Sequence, residues 1–593
     1  MKILNIIDDV ETDHLINNNK KIEILNWNRN KSVNFESIIT YIEKKDDFFK
    51  KKYVSFISKI KNHLFNKKSL YKNFNIENKF SLWEMSLFEE KNIYKNPEII
   101  DLIKILALRE IVKEKKIKKI IIFSNNKKLG TNISSLINNV KVELNYFKKK
   151  KNDTNYFLKN NIFYFFYFLL NFFFKRFKFK RKTFGQMKNA ILICDYFTYF
   201  DEDKASKGFY ISNYWKKLLP LIKKKKINLN FLHLALDEKK YNLKNKIKVL
   251  DKFNVASRMS HNILDSYIDF TILAKVTYEW FLNCFKYFYL KIMHNNNYIF
   301  QNYLLKKMFV DSFIGVWSIK NLYFFYLFEK FFKETQQNNK VITYVSEFQS
   351  WEKLIFFNSN KQQSKNIFAL QFNPIRNWDL RYQFEISKDN INLYPKKIIT
   401  FYNSSKKNLI KAFSKSKKIK VFLSDNLRPL DYSFKKKFKK KKILIVGDHD
   451  DSSTLNLLKI VNKLLEQKSK YLFEYKPHPI SKIKISNFDN LQKLKVYWDN
   501  KCFEYMYDAF IVSNKTSLGL ELSNKGFKTG VILDSKSLNL SPLDKNYQFL
   551  IKNEIELNNF INVKKSHNSA IKIRNIISWN NIVNKWLKII KYE

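Results

Sequence analysis

A chain of 593 residues with 45% hydrophobic content is too long for one core and too apolar for wholesale disorder, so two or three globular domains are expected. Its formal charge of +56 is nearly all lysine, spread along a chain rich in Asn, Ile, Phe and Tyr that has the look of an AT-rich coding sequence. That pattern reads as a solvated basic surface, and no nucleic-acid partner is expected. Three widely spaced cysteines, Cys194, Cys284 and Cys502, exclude a disulfide framework or a zinc site of the usual spacing and fit a reducing, cytoplasmic setting. MKILNIIDDVETD turns acidic where a signal peptide needs its apolar core, so no export signal is expected.

Residues 1–150 read as a small α/β unit: the strand MKILNIID, a helical stretch around IEKKDDFFKKKYVSFISKIKNHL, then the strands KKIIIFSNN and VKVELNYF. Residues 151–184 follow, with an apolar stretch from Ile162 to Phe174 that contains Asn171 and falls short of the ~20 residues of a spanning helix. A basic cluster, Lys175, Arg176, Lys178, Lys180, Arg181 and Lys182, closes it. Two readings stand for this segment, an aromatic helix lying on an anionic leaflet and a linker helix buried between domains.

Residues 185–434 form a second α/β region. The strand KNAILICDYF runs into an acidic turn, a long and mostly helical middle covers about 210–340, and KVITYVSEF returns as a strand before the closing VFLSDNLRPLDY. The lysine run from Lys435 to Lys442 reads as an interdomain linker. In 435–593 strand and helix alternate with short connections: KKILIVGD, the helix STLNLLKIVNKLLEQ, YLFEYKPHP, KVYWD, the helix CFEYMYDA, FIVSNKT, the helix SLGLELSNKG and TGVILD. Such alternation predicts a parallel, doubly wound sheet.

In a chain drifting toward Lys, Asn and Ile, the scarce residues mark positions that tolerate little change. Half of the eight glycines (Gly447, Gly519, Gly526, Gly530) lie in the last region, and Arg376, Arg381 and Arg428 cluster just before it. Ligands of open parallel sheets bind outside the carboxyl ends of the strands. There the last region carries Asp448 and His449, then Lys476, His478 and Pro479, then Ser513, Asn514, Thr516 and Ser517. Thr516 and Ser517 open a helix, where free N–H groups and hydroxyls suit an anion. His478, stiffened between two prolines, and Lys476 add a donor and a charge, while Glu521 is placed to accept from a ribose hydroxyl. The set describes a nucleotide-phosphate pocket.

A strand ending in KPHP followed by SNKTSLGLEL resembles the His-Pro and Ser/Thr motifs of bacterial sialyltransferases and capsular Kdo transferases. The resemblance implies a two-domain, GT-B-like architecture: two facing Rossmann-like doubly wound domains, here behind an N-terminal α/β unit. It also implies that His478, Pro479, Ser513, Thr516 and Ser517 hold the phosphate of a CMP-activated sugar. Over a longer span, SLWEMSLFEEKNIYK, DYFTYFDEDKASKGFYISNYWKKL, SEFQSWEKLIF, NPIRNWDLRY and ILIVGD resemble blocks of a bacterial surface carbohydrate biosynthesis family from O-antigen and lipopolysaccharide clusters. Asn373 stands where that family tends to carry a histidine.

An inverting glycosyltransferase needs a base aimed from the facing domain. Glu347, at the end of KVITYVSE, is the first candidate, with Asp201 and Glu202 behind it, whereas Glu352 fits the start of a helix. Arg376 and Arg381 flank Trp378 and Asp379, and two readings stand: a bidentate grip on a substrate carboxylate or phosphate, or a structural Arg–Asp pair. No Asp-x-Asp element ends a strand, so no metal and no cofactor is expected. The expected activity is transfer from a nucleotide-sugar donor to a lipid-linked or oligosaccharide acceptor at the inner face of the membrane. A CDP-polyol phosphotransferase and a catalytically silent scaffold are the alternatives.

Overall fold

The chain was described from a computed structural model covering residues 2–8, 22–28, 36–146 except 66 and 138, 156–179, 186–235 except 198–199, 201, 213, 216–218, 220–221 and 223, 243–254, 259–335, 338–360, 366–385, 390–424 except 415 and 417, 436–437, 441–466, 471–563 except 480, and 587–588. Three sheets, each wholly parallel, carry the architecture. In the first, β1 (Ile3–Asp8), β2 (Ile22–Asn26), β3 (Lys119–Ser124) and β4 (Lys141–Tyr146) lie in the order β2-β1-β3-β4. The second contains β5 (Ala190–Tyr196), β6 (Leu229–Leu234), β7 (Met259–Ile263), β8 (Asn339–Val345), β9 (Asn366–Gln371), β10 (Lys397–Thr400) and β11 (Lys420–Leu423), ordered β7-β6-β5-β8-β9-β10-β11. The third contains β12 (Lys442–Val446), β13 (Leu472–Lys476), β14 (Lys495–Val496), β15 (Ala509–Ser513), β16 (Thr529–Ile532) and β17 (Leu550–Ile551), ordered β14-β13-β12-β15-β16-β17.

In the second and third sheets the chain winds outward in one direction for three strands, then returns to the far side of the first. That is the doubly wound Rossmann order, with a topological switch point between β5 and β8 and another between β12 and β15. The carboxyl edges of the two sheets face each other. Beyond β9, Arg376 Nε donates to the Lys515 carbonyl at 3.0 Å, Asn377 N to that of Ser541 at 3.1 Å and Asn377 Nδ2 to that of Leu543 at 2.9 Å. Beyond β10, Tyr402 donates to Glu521 at 3.4 Å. The molecule is thus α/β with two facing Rossmann-like domains in the GT-B manner and an N-terminal α/β unit.

The helices form where amphipathic spacing and caps coincide. Asp450 caps Asp451–Leu465 by accepting from Ser453 N, and Leu457, Leu458, Val461 and Leu464 at i, i+1, i+4 and i+7 face the core. Leu518–Asn524 stops at Gly526, whose φ of +78° is the left-handed conformation that a side chain would resist.

Two elements differ from expectation. The middle stretch, expected to be mostly helical, contributes β6 and β7. LNFLHL is buried at every position, so it lacks the alternation that marks a strand open to solvent. CFEYMYDA, expected to be a helix, is a 3₁₀ turn over Lys501–Glu504 and then a short strand, Tyr505–Met506, paired with Lys436–Lys437. Its N-terminal residue, Asn500, makes no side-chain cap, and so short a segment cannot repay helix nucleation. Tyr507 instead reaches inward to Glu474 at 2.7 Å.

The N-terminal unit shares one core with the helices of 270–334, in which Leu4, Ile6, Trp83 and Ile120 belong to the same cluster as Phe309, Phe313 and Phe325. Buried hydrogen bonds cross this seam: Ser312 Oγ accepts from Leu87 N at 3.1 Å, and Asn321 Nδ2 donates to the Met85 carbonyl at 2.6 Å. A unit joined this way is part of the scaffold that sets the cleft.

Candidate functional site

The third sheet presents Asp448, His449, Lys476, His478, Ser513 and Asn514 on its carboxyl edge, because the parallel register places Val446 opposite both Lys476 and Val512. A Cβ on Gly447 would come within 2.9 Å of the Tyr475 hydroxyl, so a side chain in the turn after β12 would push that ring aside. Asp448, buried, accepts from Asp450 N at 3.2 Å and pairs with His449 Nδ1. Burial pushes its carboxyl up, but His449 and the Arg376 guanidinium outweigh this and hold it below the usual range.

The edge carries polar atoms that are buried and have no protein partner: Asp448 Oδ2, Tyr475 OH, Ser513 Oγ and Asn514 Oδ1. Orphaned groups are rare because each costs about 1 to 3 kcal/mol. Three of these flank the switch point between β12 and β15, and Tyr475 lies on the neighbouring β13. His478 is half-buried with its ring 6.1 Å from that of His449. Burial first, then His449 and Lys476, push its imidazole below the ordinary value against the opposing charge of Asp448. Lys476 points toward the β14 side and donates to the Asp499 carbonyl at 2.9 Å. Pro479 is exposed. Thr516 Oγ1 accepts from Leu518 N at 3.3 Å, while Ser517 makes no capping bond. Lys515 is tied to Asp450 at 2.7 Å.

Across the cleft, Glu347 lies two residues beyond β8. Its Oε1 accepts from Asn373 Nδ2 at 2.7 Å, and its Oε2 from Gln349 Nε2 at 3.1 Å with Arg381 Nη1 at 3.5 Å. Asn373 thus orients Glu347. Glu352 is buried beneath the loop, accepting from Ser346 Oγ and from the Glu347 and Gln349 amides at 2.8, 2.8 and 2.9 Å, and burial pushes its carboxyl up to about 8. The two arginines part company. Arg381 is spent on Asp379 through two parallel bonds of 2.8 and 2.7 Å beside the buried Trp378, whereas Arg376 bridges to the third sheet. Asp201 lies outside the described residues, and Glu202 opens the short helix Glu202–Ser206 with its side chain likewise outside them.

The N-terminal unit supplies a third wall that sequence reasoning missed. A cleft of about 1860 Å³ separates the carboxyl edges of the first and third sheets, and its lining includes Asp8, Asn28, Tyr94, Lys104, His449 and Lys515. Asp8 accepts from Asn28 Nδ2 at 3.0 Å and Ser124 Oγ at 2.6 Å, and Lys104 donates to Asn28 Oδ1 at 3.0 Å. Tyr94 stands where all three sheets meet. Arg376 Cζ, Arg381 Cζ and Lys515 Nζ lie 5.9, 5.8 and 5.9 Å from its ring, and the His449 ring lies at 6.0 Å. Its hydroxyl is buried without a partner, and burial raises it to about 12 despite the guanidinium of Arg376. The available signal was its place in SLWEMSLFEEKNIYK, a block singled out for a different reason.

No protein-family model matches the chain, and no curated protein matches it in sequence. Solved structures resemble it loosely. A glycosyltransferase from Rickettsia africae is 11% identical, with 68% of this chain and 93% of that one covered at a TM-score of 0.31. The glycotransferase of kitacinnamycin is 6% identical over 68% and 95% at 0.33. An α,α-trehalose-phosphate synthase from Burkholderia vietnamiensis is 7% identical over 68% and 96% at 0.29. Likenesses of this size assign no activity, and the fold stands on the strand order.

Proposed function

We propose that the chain is a glycosyltransferase that takes a sugar from a nucleotide-activated, CMP-linked donor in the assembly of a surface polysaccharide of the O-antigen kind. The observation that carries this reading is the set of orphaned buried atoms at the switch point of the third sheet, facing the carboxyl edge of a second Rossmann-like sheet. The donor phosphate lies against His478, Ser513, Thr516 and Ser517, whose N–H and O–H groups can donate to it, while the acceptor atoms of Asp448 and Asn514 face hydroxyl or amino donors of the nucleoside, with Glu521 at the ribose and Arg376 supplying positive charge from the facing domain. A lipid-linked or oligosaccharide acceptor enters opposite. Glu347, oriented by Asn373, takes the proton of the acceptor hydroxyl as its oxygen bonds to the anomeric carbon and the bond to the phosphate oxygen breaks, which inverts the centre without a metal. The enzyme works on the cytoplasmic side, peripheral to the inner face of a membrane.

Titration of the purified chain with CMP, CDP, UDP and GDP, followed by heat, tests the reading. CMP is expected to bind selectively, and His478→Ala to weaken it about tenfold or more, the scale of one lost hydrogen bond to a charged group. No binding of any nucleotide at millimolar concentration defeats the proposal, as does transfer of a polyol phosphate in place of a sugar.

A further inference from the structure

The helices α1 (Tyr156–Phe179) and α2 (Phe270–Met293) carry apolar side chains outward as well as inward, unlike the helices of a water-facing surface. Among the described side chains of α1, Lys178 is the one exposed position that is not apolar or aromatic. Phe163 and Leu170 are 74% and 71% exposed, while the inward face buries Asn161 among Phe165 and Phe172. On α2 the polar Glu279 and Asn283 point inward, and Phe285 and Ile292 point out at 71% and 76%. A helix facing water keeps its outward stripe polar.

The two faces form one surface. Phe165 stacks on Trp280 with centroids 4.1 Å apart, and Phe172 and Phe173 meet Phe270 at 6.4 and 6.3 Å, so the helices run antiparallel side by side. Each is 24 residues long, hence about 36 Å at 1.5 Å per residue, and two such helices about 10 Å apart present roughly 700 Å². That outline is comparable to or larger than the roughly 300–600 Å² of the largest apolar patch on a typical monomer, a patch that is often functional. Among the described residues no helix is long and apolar enough to cross a membrane, so the surface lies on a bilayer rather than through it.

Charge identifies the occupant. Tyr156–Phe179 contains no acidic residue, and the one acid of Phe270–Met293, Glu279, is buried. Cations rim the face: Arg176 lies over Phe270 at 5.7 Å, Lys178 over Phe174 at 5.7 Å, and Lys286 and Lys291 follow along α2. A second copy would bring like charges together in a chain of net charge +56. We infer that α1 and α2 together form a docking face for an anionic lipid leaflet, with the aromatic side chains in the acyl boundary and the cations at the headgroups. The inference rests on the peripheral localisation proposed above and adds to it the second helix and the lipid charge.

The test is co-sedimentation of the full chain, without nucleotide, with vesicles of phosphatidylcholine alone or mixed with phosphatidylglycerol. Leaving nucleotide out separates this result from that of the transferase reading. The wild type is expected to sediment with the anionic vesicles, and Phe163→Ser/Phe166→Ser and Phe285→Ser/Ile292→Ser each to weaken this about tenfold or more, because each removes two side chains that enter the lipid. All four side chains are largely exposed, so both variants should keep the wild-type thermal transition. Lys178→Glu/Lys291→Glu is expected to lose the preference for phosphatidylglycerol. Four outcomes overturn the inference: no sedimentation with anionic vesicles, equal binding to both lipids, wild-type binding by the α2 variant, or light scattering that finds a wild-type dimer made monomeric by either apolar variant.

Discussion

Two clusters of one aspartate and two histidines sit on the carboxyl edges of the two Rossmann-like sheets, and they are put to opposite uses. In the second sheet Asp195 Oδ1 holds His233 Nδ1 at 2.6 Å, Oδ2 accepts from Tyr210 OH at 3.1 Å and Trp215 Nε1 at 3.0 Å, and His233 Nε2 meets His261 Nδ1 at 3.0 Å. All three members are buried, and both carboxylate oxygens are answered from within the protein. In the third sheet Asp448 pairs with His449, but Oδ2 is orphaned, His449 is exposed, and His478 is half-buried. A titratable cluster at a strand end is therefore no sign of a site by itself. What distinguishes the two is whether both oxygens of the aspartate are answered, for His261 Nε2 at the far end of the first cluster is itself without a partner.

The sharpest way to break this contrast is Asp195→Ala. It leaves the buried donors of His233, Tyr210 and Trp215 without their acceptor, and unfolding in urea should show a loss of about 3 to 5 kcal/mol, the scale for several buried donors left unsatisfied. A loss below about 1 kcal/mol would mean that the closed network carries little of the fold. Next in size is the pH effect of Glu352. Burial raises its carboxyl to about 8 from an unfolded value near 4.5, so the folded state holds the proton more tightly. Its contribution is fully present below about pH 4.5 and is lost as pH rises through about 8. Glu352→Gln, which mimics the protonated acid, should flatten the fall in unfolding free energy across that window by about 1 to 3 kcal/mol, and an unchanged slope would exclude Glu352 as its source.

The fold was legible where alternation and punctuation agreed. The third sheet could be read strand by strand because its strands are short apolar runs between Gly, Pro and Asn, and its capped helix repeats at helical spacing. β6 and β7 were hidden because strands buried on both faces do not alternate, and because His233, His261 and Asn262 look like surface residues until Asp195 is known to lie beside them. The loop residues Asp448, His478, Ser513 and Asn514 could be gathered onto one edge because parallel topology alone brings strand ends together. Tyr94 could not. It reaches the junction through a shared core, joined by contacts such as Leu87 to Ser312, that no local pattern records. The split between Arg376 and Arg381 was equally invisible, since it depends on which guanidinium Asp379 captures first.

Tyr94→Phe sharpens the contrast from the open side. Removing an unpaired buried hydroxyl should raise stability by about 1 kcal/mol, because the Phe variant no longer pays for a desolvated group that makes no bond. The same change should weaken nucleotide binding or transfer if that hydroxyl serves a ligand amid Arg376, Lys515 and His449. Opposite signs in the two assays separate a binding group from a packing one, and a loss in both would place Tyr94 with the closed network.

The smallest effect on the fold, and the one most specific to the open cluster, belongs to His478→Ala. His478 is only half-buried, so the unfolding free energy should change by less than about 0.5 kcal/mol. Its pH signature is the more telling readout. Because burial holds its imidazole below the ordinary value, acidification through the range under pH 6.5 converts it to a cation facing the phosphate, which should tighten nucleotide binding. A nucleotide monophosphate takes up its own second proton near pH 6, which works in the opposite direction, so the raw pH profile is ambiguous. The ratio of wild-type to His478→Ala affinity cancels the ligand's titration and should rise steadily as pH falls. A flat ratio would show that His478 touches no phosphate, and the open edge would then lose the residue on which its chemistry chiefly depends.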